Sequence, residues 1–245
     1  DQSPMVSDPV SYQDGAAGDP SSSAAGAGAA IRATIELARL ADRRGYHRYW
    51  MAEHHNSATL ANPCPEVLAA RLGAETRRIR IGTGGVLLPY YAPLKVAEVF
   101  SMLETLYPGR IDLGIGRAPG TGPRAAQAMA GGAWPTAEDF PQQVADLVGF
   151  LDRNLPADHP HARVIANPAG ATGPGAPEVW LLGSSDYSAR LAARLGLRFA
   201  FADFIAPDAG AGITRAYRAQ FQPSAREARS EEHTSELQSR LHLVC

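Results

Sequence analysis

Apolar positions along the chain fall into two kinds of run, some recurring at helical spacing and others gathered in short blocks bounded by glycine and proline. Ile31, Ile35, Leu37, Ala38 and Ala41 share one broad helical face, and Gly45 just past it is a stop signal. The Gly-, Ala-, Ser- and Pro-rich stretch before it, Ser7 to Gly28, reads as a loop. His47 to Ala52 reads as a short aromatic strand that ends in Glu53-His54-His55-Asn56. Pro65 suits the first turn of a second helix reaching Thr76. Ile79 to Leu88 reads as the next strand, Pro93 to Tyr107 as a helix broken by Pro108-Gly109, and Arg110 to Gly116 as a buried strand. A long loop follows, with Pro119, Gly120, Gly131 and Gly132, until Asp139 caps a helix running to Asn154. Val179 to Leu182, Ser185 to Leu195, Phe199 to Ala202 and Ile213 to Phe221 complete the series as strand, helix, strand and helix.

Strands alternating with helices every roughly 30 residues imply βαβ units and a parallel sheet. A doubly wound sheet and a (β/α)8 TIM barrel share that pattern. The barrel is favoured because polar residues follow successive strands, at Glu53-His54, Gly84-Gly85, Arg117 and Ser184-Ser185, where a barrel gathers its active site. The dinucleotide fold would need a third glycine after Gly114-x-Gly116 and a helix directly behind it, and neither is present. Five complete strands are visible, and Asp1 to Pro4 reads as the exit of a sixth, whereas a barrel has eight strands in about 250 residues. The expected fold is therefore a barrel truncated at both ends, with about six of eight strands. From Arg229 the text RSEEHTSELQS breaks the rhythm and looks like the translation of a sequencing adapter. Residues 1–225 are expected to form the incomplete barrel and residues 226–245 a foreign tail.

Composition narrows the function classes. The 245 residues are 45% hydrophobic and 20% charged, ordinary values for a globular chain with a sizeable core. A net charge of -2 without a dense basic run argues against nucleic acid as a partner. Cys64 and Cys245 are too few for a disulfide framework, and no apolar run is long enough for a membrane span. Asp1 follows no initiator Met or signal-like stretch, so the chain reads as processed or incomplete, and as cytoplasmic.

Candidate chemistry lies at the strand ends. Adjacent residues of a strand point to opposite faces, so His54 and His55 cannot both aim into one mouth, which argues against a two-histidine metal site. A histidine there is either a hydrogen-bonded structural residue or an acid–base group with a pKa near the working pH. Arg117 is either a surface arginine or a fork of donors for a phosphate. Ser184, Ser185 and Ser188 either include a plain helix N-cap or, with the helix N-terminus, form an anion site. Gly84 and Gly85 mark either a bulge or a place where side chains would obstruct something flat. Tyr46, Tyr49 and Trp50 read as core.

Four strings, RGYHRYWMAEHHN, RIGTGGVLLP, PGRIDLGIGRAPG and VWLLGSSDYSARLAARLG, occur in the order found in flavin-dependent monooxygenases of the bacterial luciferase-like family, and together the chain resembles that family over most of Asp1 to Ala225. The Ser7–Gly28 stretch is longer than the family's usual first connection. The resemblance implies His54 beside the flavin ring in proton transfer, with His55 as a support. It also implies Arg117, Ser184, Ser185 and Ser188 at the FMN phosphate, with Tyr187 as a third kind of contact. Gly84 and Gly85 would lie under the isoalloxazine, joined by a cis peptide bond, and Asp186 would point away from the phosphate. The implied activity is oxygenation of a small organic substrate by reduced FMN and molecular oxygen, with reduced flavin supplied by a separate reductase. A homodimer is open for the complete protein. Two alternatives stand beside this reading: a deazaflavin (F420)-dependent oxidoreductase on the same fold, and a non-catalytic fragment.

Overall fold

A computed structural model describes residues 20–57, 59–117, 119–131, 138–169, 176–227 and 232–234. Its seven strands are β1 (Arg48–Met51), β2 (Arg80–Thr83), β3 (Val86–Leu87), β4 (Ile111–Gly116), β5 (Glu178–Gly183), β6 (Arg198–Phe201) and β7 (Glu232–Thr234). Its seven helices are α1 (Pro20–Arg43), α2 (Pro65–Glu75), α3 (Pro93–Leu106), α4 (Pro123–Met129), α5 (Phe140–Asp152), α6 (Asp186–Leu195) and α7 (Gly210–Gln220). The strands make one parallel sheet in the order β1-β2-β4-β5-β6-β7, with β3 pairing β4. The sheet curls as part of a TIM barrel, and among the described residues it does not close. The fold class is therefore the one expected: a barrel that is incomplete.

Register and burial separate the two faces of the curl. Tyr49, Ile81, Leu113, Leu181 and Phe199 join helical residues such as Leu72, Phe100, Leu147 and Leu191 in one core. The alternate positions face one another inside the curl. There Asp112, fully buried, accepts from Arg48 (2.7 Å), Arg80 (2.8 Å) and the Trp50 indole (2.8 Å). Glu178 on the next strand receives Arg48 at 2.9 Å and also Arg198, which reaches on to Glu227. Arg48 and Arg198 lie 4.7 and 5.3 Å from the ring centre of the buried Trp180. Every strand from β1 to β6, apart from the short β3, thus contributes an inward residue to a charge-balanced floor at the amino ends of the strands.

Several expectations change. The Ser7–Gly28 stretch is not all loop: α1 already begins at Pro20, because alanine and serine tolerate a helix that continues into the apolar face; residues 7–19 lie outside the described residues. The single strand expected over Ile79–Leu88 is two, β2 and β3, separated by Gly84-Gly85, and Leu88–Tyr90 forms a 3-10 turn. The loop after β4 contains α4. Tyr46 is not core but half exposed at 51%, since it precedes β1, whereas Tyr49 is buried. Asp139 holds the N-cap position of α5 without a side-chain capping hydrogen bond. The sixth-strand exit expected at Asp1 to Pro4 lies outside the described residues. In the stretch expected to be foreign, β7 adds three residues beside β6, Arg226 pairs with Asp152, and Glu227 pairs with Arg198.

Candidate active site at the carboxyl ends of the strands

The exits of β1, β2, β4 and β5 stand in a row at one end of the sheet. At the exit of β1, Glu53 is buried and accepts three hydrogen bonds, from His55 Nε2 (2.7 Å), Tyr91 Oη (2.6 Å) and the Leu87 backbone N–H (2.9 Å). β1 ends at Met51, so Glu53, His54 and His55 lie beyond the strand and the expected alternation does not extend to them; Glu53 and His55 are brought together by their mutual bond. Among the described residues no group of three or more His, Cys, Asp or Glu could hold a metal ion. Burial and the Glu53 carboxylate both push the Tyr91 phenol well above its ordinary value, so it stays a donor.

The backbone beside His54 is tied down from several directions. His54 N–H donates to Asn62 O (3.2 Å), Asn62 Nδ2 to Ala52 O (2.9 Å), His55 N–H to Gly120 O (3.3 Å) and Thr121 Oγ1 to His55 O (2.8 Å). Gly120 has φ 56°, and a Cβ there would come within 2.6 Å of the Leu87 side chain, so the loop after β4 reaches the β1 exit only with glycine at that point. On the adjacent exit the Gly84–Gly85 peptide is cis, as expected. Gly84 N–H still donates to Met51 O (2.7 Å) and Val86 pairs with Ile115, so the chain steps from the β1 side to the β4 side across this peptide.

The other half of the site lies at β4 and β5. Arg117 directly follows β4, and its guanidinium sits 4.1 Å from the centre of the Tyr187 ring. Tyr187 belongs to the first turn of α6, which starts behind Ser184 and Ser185 at the exit of β5. Ser188 is buried against that exit: a Cβ on Gly183 would meet its Oγ at 2.6 Å, so the absent side chain lets α6 come down onto β5. Ser185 is the N-cap of α6 but makes no side-chain capping bond, and it is exposed. Asp186 pairs with Arg190 at 2.9 Å on the helix exterior. A planar cation, serine hydroxyls and the unpaired N–H groups of a helix start thus occupy neighbouring strand exits, an arrangement suited to an anion.

The structure therefore groups the expected residues in two sets. His54 and Gly84-Gly85 stand on the adjacent exits of β1 and β2, and Arg117, Ser184, Ser185, Tyr187 and Ser188 stand on those of β4 and β5. Sequence reasoning missed Glu53 and Tyr91. The signal for Glu53 was available, because it directly precedes His54 just past the exit of β1; nothing local points to Tyr91.

Residues 12–238 match the family model described as luciferase-like monooxygenase. A protein of Escherichia coli K12 named luciferase-like monooxygenase is 50% identical over 193 residues, which cover 79% of this chain and 56% of that protein. The N-acetyl-S-alkylcysteine monooxygenase of Bacillus subtilis is 42% identical over 175 residues, 71% of this chain and 52% of the relative. Among solved structures, apo-MsnO8 superposes with a TM-score of 0.75 at 44% identity, covering 84% of this chain and 60% of that one. The chain spans somewhat over half the length of the curated relatives it matches. At the level of fold alone, it also superposes with TM-scores of 0.61 on the oxygenating constituent of 3,6-diketocamphane monooxygenase from Pseudomonas putida in complex with FMN (21% identity, 87% of this chain and 63% of that) and on an F420-dependent secondary alcohol dehydrogenase (16% identity, 83% and 64%).

Proposed function

Because the chain belongs to the luciferase-like monooxygenase family, we propose that the whole protein binds reduced FMN across the exits of β1, β2, β4 and β5 and uses it with molecular oxygen to oxygenate a small organic substrate. The observation that carries this reading is the split of the site into an anion-suited half and a proton-handling half on neighbouring strands. The flavin supplies the oxygen chemistry, and the protein supplies position and shelter from water.

In this reading Arg117 holds the phosphate through its planar fork of donors, with Tyr187 keeping the guanidinium flat from behind. Ser185 and the first N–H groups of α6 complete the grip; Ser184 and Ser188 shape the junction on which it rests. The pairing of Asp186 with Arg190 keeps a carboxylate off the anion. Gly84 and Gly85 offer a side-chain-free surface for a flat ring. His54 holds or moves a proton at an imidazole nitrogen on the same side. A separate reductase delivers the reduced flavin, and the same surfaces serve a cytoplasmic enzyme that dimerises when complete.

Titration of FMN against the full-length protein, read by flavin fluorescence, tests the proposal. One FMN per chain, together with oxygen consumption when a flavin reductase is added, supports it. Preference for F420 over FMN would move the chemistry to hydride transfer on the same fold. No uptake of either by the full-length protein would overturn the proposal, whereas uptake by the full-length protein and none by the isolated chain would leave this chain as a non-catalytic fragment.

A further inference from the structure

Glu53 is the most heavily engaged side chain at the mouth, and the proposed chemistry does not use it. Its carboxylate is 1% exposed, and each of its three partners is a donor: the imidazole of His55, the phenol of Tyr91 and the N–H of Leu87. With Glu53 as the common acceptor, the His55 ring takes the tautomer that carries its hydrogen on Nε2. The partners come from three segments: His55 from beyond the exit of β1, Leu87 from β3 directly behind the cis peptide, and Tyr91 from the end of the 3-10 turn that leads to α3.

We infer that Glu53 is a positioning residue, whose carboxylate clamps the His54-bearing exit of β1 to the Gly84–Leu87 segment and so sets the spacing between the proton-handling histidine and the backbone that supports the ring. This rests on the reading under Proposed function. The clamp acts through both neighbours of His54. The bond between Glu53 and His55 ties together the two residues that flank His54, and Leu87 is fixed from the same carboxylate at 2.9 Å. A Cβ on Gly120 would come within 2.6 Å of the Leu87 side chain and 3.2 Å of Glu53 O, so the loop after β4 passes close against the clamp. Glutamine is not a neutral replacement here. Its NH2 group would meet either the Leu87 N–H or the paired His55 and Tyr91 donors, and one donor would lose its acceptor.

The experiment compares Glu53→Gln, His55→Gln and Tyr91→Phe with the unaltered full-length protein. The first readout needs no flavin: the proton-coupled 15N NMR signal of the His55 ring, which a carboxylate partner holds as the Nε2–H form. The second is the FMN dissociation constant set beside the rate at which bound reduced FMN turns over with oxygen. In Glu53→Gln the held Nε2–H signal is expected to vanish and turnover to fall on the order of 100-fold, as a misplacement of about 1 Å does. FMN affinity should stay within about threefold, because the phosphate grip lies beyond β2. His55→Gln, which still offers a donor to Glu53, should keep most of the turnover, and Tyr91→Phe should fall between the two. A His55 signal unchanged by Glu53→Gln overturns the inference, as does its loss with turnover intact. Parallel falls in affinity, turnover and Tm across all three variants reduce Glu53 to a structural role and overturn it equally. If the unaltered protein takes up no FMN, the proposed function fails and the role of Glu53 fails with it, while the NMR readout still reports whether the pair exists.

Discussion

Arg117 and His54 divide the proposed work between grip and chemistry, and their substitutions should separate accordingly. Arg117→Ala removes a charge-assisted contact worth about 1.5–3 kcal/mol. FMN affinity measured by fluorescence should therefore fall at least about tenfold; an unchanged affinity would remove Arg117 from the phosphate site. His54→Ala should leave affinity nearly intact and cut turnover by about 10²–10⁴-fold, the usual contribution of an acid–base group. If His55→Ala stops turnover and His54→Ala is silent, the proton-handling role belongs to His55 and not to His54. Of these residues the strand pattern and the four strings already singled out His54, Arg117 and the serines. The stacking of Arg117 on Tyr187 was not legible, because the two lie seventy residues apart and meet only when β4 and β5 pair.

Between elements, two polar devices carry weight that hydrophobic packing does not. Asp42 in the last turn of α1 accepts backbone N–H bonds from Arg77 (3.0 Å), Arg78 (2.9 Å) and Ile79 (2.8 Å), fastening α1 to the turn that feeds β2. Burial raises the Asp42 carboxyl, but the three bonds together outweigh it and hold the group below its ordinary value. A lowered carboxyl stabilises the fold above its unfolded pKa of about 3.9 and loses that contribution as pH falls through the folded value. Asp42→Ala should destabilise by about 1–2 kcal/mol at neutral pH after allowing for its exposure, and should flatten the acid limb of stability against pH. Chemical denaturation at pH 7 and at pH 3 checks both, and equal losses at the two pH values would contradict the staple. Asp112 is the buried counterpart. It binds Arg48, Arg80 and Trp50 across three strands, so Asp112→Ala leaves both guanidinium groups with Glu178 as their remaining carboxylate and the Trp50 N–H without its acceptor, and should cost about 3–5 kcal/mol. A change in Tm within error would show that water replaces the carboxylate there.

At the scale of the whole molecule, the sheet formed by the described residues is a curl with edges. β1 stands at one end of its strand order and the three-residue β7 at the other, and a closed barrel would have neither edge. Unpaired strand edges and an uncovered interior favour association, and a domain's net stability is only about 5–15 kcal/mol. The isolated chain is therefore expected to self-associate or to melt without cooperativity, with negligible FMN uptake. A single sharp thermal transition together with one FMN bound per chain would refute this. We propose that residues 226–245 are a foreign tail, with the Arg226–Asp152 and Glu227–Arg198 pairs and the β6–β7 pairing as its test. Removing residues 226–245 should leave the soluble fraction of the chain unchanged; a lower soluble fraction would show that those pairs belong to the fold.

What the amino-acid order determined by itself was local. Period, proline starts and glycine stops located every helix except α4 and the first turns of α1, and located β1, β4, β5 and β6 to within a residue or two. These signals need only neighbours in the chain. The tertiary structure decided whatever depends on strands meeting. It broke Ile79–Leu88 at Gly84-Gly85 so that β3 could pair β4, gathered Arg48, Asp112, Glu178 and Arg198 into one buried floor, and brought Leu87 and Tyr91 to Glu53. A charged residue inside a strand reads in sequence as a solvated position. Only the curl of the sheet, which puts opposite charges within hydrogen-bonding distance and away from water, makes it part of the core.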